Sequence, residues 1–168
     1  MKPNLNKTAP ITTLELNTSF GLVEEYIIAY SINPITGELL TATQDKLRLY
    51  NVFENSLIAD YNIPLITLQE QRRPTYRVKL IEPLILGSGW LVITTKKTII
   101  YFSKSLIASK AIELKDQPEQ IIVNQREEDF YVLCNERKSL HSYSINLSGE
   151  IESVGCCRNG DPHVQLDC

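Results

Sequence analysis

The chain has 168 residues, 43% of them hydrophobic and 22% charged, with a formal net charge of −3. That is the size of one ordinary domain with enough apolar side chains for a packed core, which excludes global disorder. The slightly negative total excludes an overall pull toward nucleic acid or anionic membrane, leaving only a local basic patch to consider, and no apolar run nears the roughly 20 residues that span a bilayer.

The N-terminal stretch MKPNLNKTAPITT carries no apolar segment of the secretory kind. An intracellular location, nuclear or cytoplasmic, is therefore expected, with reduced thiols at Cys134, Cys156, Cys157 and Cys168. ITTLEL (Ile11 to Leu16) is a candidate N-terminal strand. The first clear ladder follows. YIIAYSI (Tyr26 to Ile32) is apolar enough for a central strand. Asn33-Pro34 and Gly37 then mark a turn, and LLTAT (Leu39 to Thr43) is the next strand. After Gln44-Asp45, KLRLYNV (Lys46 to Val52) alternates with a period of two, placing Leu47, Leu49 and Asn51 on one face. LIADYNI (Leu57 to Ile63) completes a four-stranded antiparallel meander.

PLITLQEQRRPTY (Pro64 to Tyr76) interrupts the rhythm. Two prolines and adjacent arginines predict an exposed connection, with a short helical turn in LITLQEQ. The meander then returns twice. VKLIEPLI, WLVITT, TIIYFSK and IASKAIEL fill Val78 to Leu114; EQIIVNQ, FYVLCNE, LHSYSIN and GEIESV fill Glu119 to Val154. Equivalent third-strand positions, Leu47, Ile99 and Leu140, recur after 52 and then 41 residues, the longer step containing the insertion. Four strands per unit at a period near about 40 to 45 is the pattern of propeller blades. The predicted organisation is an all-β domain over 1–155, with units at about 20–63, 77–114 and 119–154 and an insertion at 64–76. A disordered tail, CCRNGDPHVQLDC in sequence, is predicted over 156–168.

SINPITGELLTATQDKLRLYNVFENSLIADY resembles a degenerate WD40-like blade. It has the Asn-Pro-x-x-Gly turn, a second strand of small and apolar residues, an Asp before the third strand, and Tyr50-Asn51 where that family often has Trp-Asp. The resemblance implies a WD40-like partial β-propeller, with an irregular β-sandwich or barrel as the alternative. A narrower likeness, carried by the order of units and the Arg-Arg-Pro insertion, is to the WD-repeat, non-catalytic subunits of eukaryotic tRNA guanine-N7 methyltransferases. It implies a methyltransferase subunit as protein partner, tRNA as the ultimate substrate, S-adenosylmethionine on that partner, and no cofactor on this chain.

Cys156, Cys157, His163 and Cys168 are zinc-type ligands, but the C-x2-C spacing is missing, so no metal site is assigned. Cys134 and His141 lie on neighbouring strands and define the rival reading of a small Cys/His-dependent enzyme, although no glycine-rich turn or helix N-terminus supplies oxyanion donors nearby. GSGW (Gly87 to Trp90) lacks the Lys and helix of a phosphate loop and reads as a turn. The best candidate site is basic: Arg72, Arg73, Tyr76, Arg77 and Lys79 in and after the insertion, extended by Lys96 and Lys97. Arginine suits bidentate contact with carboxylate or phosphate, and an interleaved Tyr suits stacking or anchoring. The expected function is a non-catalytic binding platform that scaffolds a protein complex through a protein partner or self-association, with RNA reached through the partner and no membrane. A truncated propeller fragment without independent function is the third reading.

Overall fold

A computed structural model describes residues 26–68, 71–84, 88–124, 129–134, 139–146 and 148–158. Its described residues form three four-stranded antiparallel sheets and one hairpin. Blade 1 is β1 (Ala29–Ile32), β2 (Glu38–Ala42), β3 (Lys46–Asn51) and β4 (Ser56–Asn62), paired in that order. A two-stranded hairpin follows, β5 (Leu65–Leu68) and β6 (Gln71–Pro74). Blade 2 is β7 (Val78–Pro83), β8 (Gly89–Thr94), β9 (Thr98–Ser103) and β10 (Ile112–Glu113). Blade 3 is β11 (Pro118–Val123), β12 (Asp129–Cys134), β13 (Ser139–Ile145) and β14 (Ile151–Arg158).

Two cores explain why these sequences stack. One, between blades 1 and 2, joins Leu40, Ala42, Leu47 and Leu49 to Trp90, Val92, Ile100 and Phe102. The other, between blades 2 and 3, joins Leu91, Ile93 and Ile99 to Phe130, Val132, Cys134 and Tyr143. Every residue of β8 is buried, because Trp90 and Val92 face one core while Leu91 and Ile93 face the other. A strand covered on both faces reads as a continuous apolar run instead of an alternating one, and GWLVIT is such a run.

Local chemistry fixes the turns. Asn33 is buried; its Oδ1 accepts from the Ile35 and Thr36 N–H groups at 2.9 and 3.3 Å, closing the β1–β2 turn. Gly37 ends that turn at φ 69°, where a Cβ would run into the Phe53 ring. Asn51 caps the β3–β4 turn in the same way, accepting from Phe53 and Glu54 N–H at 2.9 and 3.1 Å.

Three differences from the sequence expectation have physical causes. The helical turn expected in LITLQEQ is absent at Leu65–Leu68, which form β5 and pair with β6. The Thr75 N–H donates to the Pro64 carbonyl at 2.8 Å and closes the hairpin base, a long-range constraint that local propensity cannot register. The fourth strand of blade 2 shrinks to Ile112–Glu113, preceded by a single bridge between Phe102 and Ala108. The stretch expected to be tail from residue 156 continues β14 through Arg158, because Cys156 pairs with His141, Cys157 with Leu140 and Arg158 with Ser139. Residues 159–168, and the strand candidate Ile11 to Leu16, lie outside the described residues.

Candidate binding rim

In a meander the turns alternate between the two ends of the sheet. One rim, here the leading rim, carries the β2–β3 turn, the hairpin and its flanks, the β8–β9 turn and the β10–β11 connection. The opposite rim carries the remaining described turns. The three blades keep these rims in line. On the opposite rim the Asn33 Nδ2 donates to the Leu84 carbonyl at 3.3 Å, joining blade 1 to blade 2. Near the leading rim the Lys79 Nζ donates to the Pro118 carbonyl at 2.6 Å, joining β7 to β11.

This topology sorts charge. Among the described residues, Arg72, Arg73, Arg77, Lys96, Lys97 and Lys115 all fall in the loops and hairpin of the leading rim, against Asp45 and a buried Asp116. Strand ends at this rim add Lys46, Glu113 and Glu119. The loops of the opposite rim hold Lys104 and Lys110 against Glu54 and Glu150, with no excess. The backbone ties much of the basic set together. The Thr95 N–H donates to the Arg77 carbonyl at 2.8 Å, and the Leu114 N–H to the Lys97 carbonyl at 2.7 Å. Arg77, the Lys96-Lys97 turn and Lys115 are thus successive pieces of one edge.

The residues singled out from sequence divide into two groups. Arg72, Arg73, Arg77 and Lys96 are exposed on the rim, and Lys97 sits beside them at φ 58° in its turn. Arg72 and Arg73 do not act side by side: Thr67 faces Arg72 and Ile66 faces Arg73 across the hairpin, so strand alternation sends the two guanidiniums to opposite faces. Tyr76 packs against the core between blades 1 and 2, and burial, reinforced by the adjacent Tyr61, pushes its phenol far above the ordinary value. It braces the rim from beneath instead of standing among the arginines. Lys79 is turned inward to Pro118. Lys115 escaped the sequence reading because only the β9–β10–β11 path brings it to the same end; its one local sign was its place in a polar connection.

Cys134 and His141 share the inward face of blade 3 but not a register position. Cys134 faces Ser139, and His141 lies between Val132 and Cys156. Both are buried, at 0% and 8% exposure, and a His141 ring nitrogen lies 3.0 Å from Ser139 Oγ. Burial, with smaller contributions from Cys134 and Cys156, pushes the neighbouring Tyr143 phenol up to about 12. The pair packs inside a core, with the Cys134 thiol away from solvent. Cys156 is buried and Cys157 exposed, so the adjacent cysteines point to opposite faces and cannot share an ion; His163 and Cys168 lie outside the described residues. No group of three or more His, Cys, Asp or Glu is placed to hold a metal among the described residues, and no helix there is long and apolar enough to cross a membrane.

No protein-family model matches the chain, and no curated protein matches it in sequence. Solved structures do match in fold. U3-55K superposes with a TM-score of 0.63 at 11% identity, over 85% of this chain and 42% of its own. The β-propeller domain of Cps50 (Swd1) from Myceliophteria thermophila gives 0.60 at 12%, over 82% and 46%. Hsv2 of Kluyveromyces lactis gives 0.53 at 14%, over 77% and 37%. The chain therefore spans less than half the length of each. Its described residues have the all-β architecture of a partial, unclosed WD40-like propeller of three blades.

Proposed function

We propose that this chain is a non-catalytic binding platform that scaffolds a protein complex inside the cell, with the leading rim as its docking surface. One observation carries the reading: among the described residues the topology delivers six cationic side chains to the loops and hairpin of one rim, against Asp45 and a buried Asp116, in a chain whose net charge is −3. Gathering like charges costs repulsion that an acidic partner relieves. Loops held by rigid sheets are where such folds place recognition. Arg72, Arg73, Arg77, Lys96, Lys97 and Lys115 make the surface, and Tyr76 and Lys79 support it. The finer proposal, from sequence likeness, is that the partner is the catalytic subunit of a tRNA guanine-N7 methyltransferase, which itself holds tRNA and S-adenosylmethionine.

The test is binding of fluorescein-labelled oligo-glutamate to the chain and to a variant with Arg77, Lys96 and Lys115 changed to Glu. The variant should bind more weakly at low salt, and the difference should shrink as salt screens the contact. Its thermal stability should be nearly unchanged, since exposed charges contribute about 0–1 kcal/mol. Equal binding at low salt removes the rim from the proposal. If labelled tRNA binds with a log-linear salt dependence while oligo-glutamate does not, the rim is a nucleic-acid interface and the protein-platform reading fails. Co-expression with a tRNA guanine-N7 methyltransferase catalytic subunit tests the finer proposal: co-elution supports it and separate elution overturns it.

A further inference from the structure

The hairpin and blade 1 enclose a cleft of about 460 Å3 on the leading rim. Tyr26, Ile28, Leu65 and Pro74 give it apolar walls, Arg72 projects into it from the hairpin, and Asp45 lies on the blade side. Three of the apolar residues have no cover of their own, at 89%, 45% and 49% exposure for Tyr26, Ile28 and Leu65. The pairing register explains the arrangement. Leu65 faces Pro74 and Thr67 faces Arg72, so Leu65, Arg72 and Pro74 share the face turned to the cleft, while Ile66 and Arg73 lie on the other.

The charges in the cleft are not spent on each other. Asp45 Oδ1 accepts from Thr43 Oγ1 at 3.4 Å, and the Asp45 carbonyl accepts from the Ile63 N–H at 2.7 Å, which fixes this residue to blade 1. Arg72 makes no hydrogen bond or ion pair with any described residue. An exposed guanidinium beside apolar side chains offers a bidentate contact to one carboxylate. The size fits a few side chains, within the roughly 300–1,000 Å3 of ordinary ligand clefts. A continuous polyphosphate fits poorly, because it would lay charge along Tyr26, Ile28 and Leu65 and against Asp45.

We propose that this cleft binds a short linear segment of a partner protein in which a carboxylate side chain lies next to a large apolar one. The carboxylate pairs with Arg72, and the apolar side chain packs on Tyr26, Ile28 and Leu65. This rests on the binding-platform reading and deepens it by naming the partner's chemistry. It also separates two adjacent arginines by role: Arg72 recognises, and Arg73 lies on the wrong face of the hairpin to do so.

The test uses labelled heptapeptides Gly-Ser-X-Glu-Z-Ser-Gly, with X and Z drawn from Leu, Ile, Phe and Tyr, beside the same set with Gln for Glu. Fluorescence anisotropy is read on the whole chain and on Arg72→Glu, Arg73→Glu and Leu65→Lys, with circular dichroism confirming each fold. At least one Glu peptide should bind. Its Gln counterpart, Arg72→Glu and Leu65→Lys should each weaken it about tenfold or more, a loss of about 1.4 kcal/mol, while Arg73→Glu stays near wild type. The proposal is overturned if no peptide binds, if Glu and Gln peptides bind alike, or if Arg73→Glu loses as much as Arg72→Glu. If no Glu peptide depends on Arg72 while oligo-glutamate still depends on Arg77, Lys96 and Lys115, the cleft proposal is overturned and the platform reading stands.

Discussion

Asn33 shows how one side chain can connect local and long-range structure. Its position before Pro34 made a turn legible in the sequence, and its Oδ1 does organise that turn. Its Nδ2 bond to the Leu84 carbonyl, 51 residues away, was not legible, because nothing local to Asn33 specifies a partner on another blade. Replacing Asn33 with Ala removes the turn acceptor and leaves the Leu84 carbonyl without this donor in a buried place. A buried polar group left unpaired costs about 1–3 kcal/mol. Asn33→Ala should therefore lower the urea midpoint, with the slope little changed. Asn33→Asp keeps the turn acceptor but sets a buried carboxylate against the Leu84 carbonyl oxygen, and should lower the midpoint at least as far. A midpoint equal to wild type for Asn33→Ala would show that the bond between blades contributes nothing net. Tyr76 illustrates the converse limit: among arginines in the sequence it suggested stacking, yet its packing is decided by Tyr61 and a core that forms only when two blades meet.

At the scale of elements, alternation made β3 readable, and the shared spacing of second and third strands made blades 1 and 2 readable as equivalents. The weaker readings fell where a strand depends on a distant neighbour. β5 and β6 exist because they pair with each other across a closed base, whereas β14 outlasts its apolar stretch because β13 offers it partners as far as Ser139. The hairpin should be separable from the blades. A two-stranded hairpin is at best marginally stable alone, so it draws support from blade 1 more than it gives. Since the Thr75 N–H already reaches the Pro64 carbonyl at 2.8 Å, residues 65–74 can be replaced by Asn-Gly, which favours a tight two-residue hairpin turn. The shortened chain should keep its strand circular dichroism and melt within a few degrees of wild type, while peptide binding at the cleft disappears. A large drop in melting temperature would make the hairpin a structural prop and count against its reading as a recognition element.

The whole molecule has two sheet faces that no described blade covers. On blade 1, the face turned away from blade 2 exposes Tyr30, Ile32 and Leu57 at 73%, 44% and 53%. On blade 3, the face turned away from blade 2 exposes Ile122, Tyr131 and Leu133 at 46%, 37% and 36%. Cross-strand pairing sets exposed Ile32 and Leu57 in one row with half-buried Leu39 and buried Tyr50 on blade 1, and exposed Ile122 beside Tyr131 and Leu133 beside half-buried Leu140 on blade 3. The composition could not reveal this, because the hydrophobic fraction is ordinary and only the topology tells which apolar residues find a neighbouring blade. Stacked blades bury their faces against one another in both cores of this molecule, and closed propellers use about four to eight blades to cover every face. The 19.1 kDa chain studied alone should accordingly self-associate, with a mass by light scattering that exceeds the monomer and rises with concentration. Tyr30→Lys with Leu57→Lys on blade 1, or Ile122→Lys with Leu133→Lys on blade 3, should shift the mass toward the monomer without loss of strand signal, since all four positions are already exposed and the added charge penalises only the associated state. The pair Glu54→Gln with Glu150→Gln, in exposed loops of the opposite rim, makes the same +2 change in net charge and should leave association unchanged. A wild-type chain that stays monomeric at every concentration would show that these faces are satisfied within the chain, and the propeller would then be complete in a way its three described blades do not display.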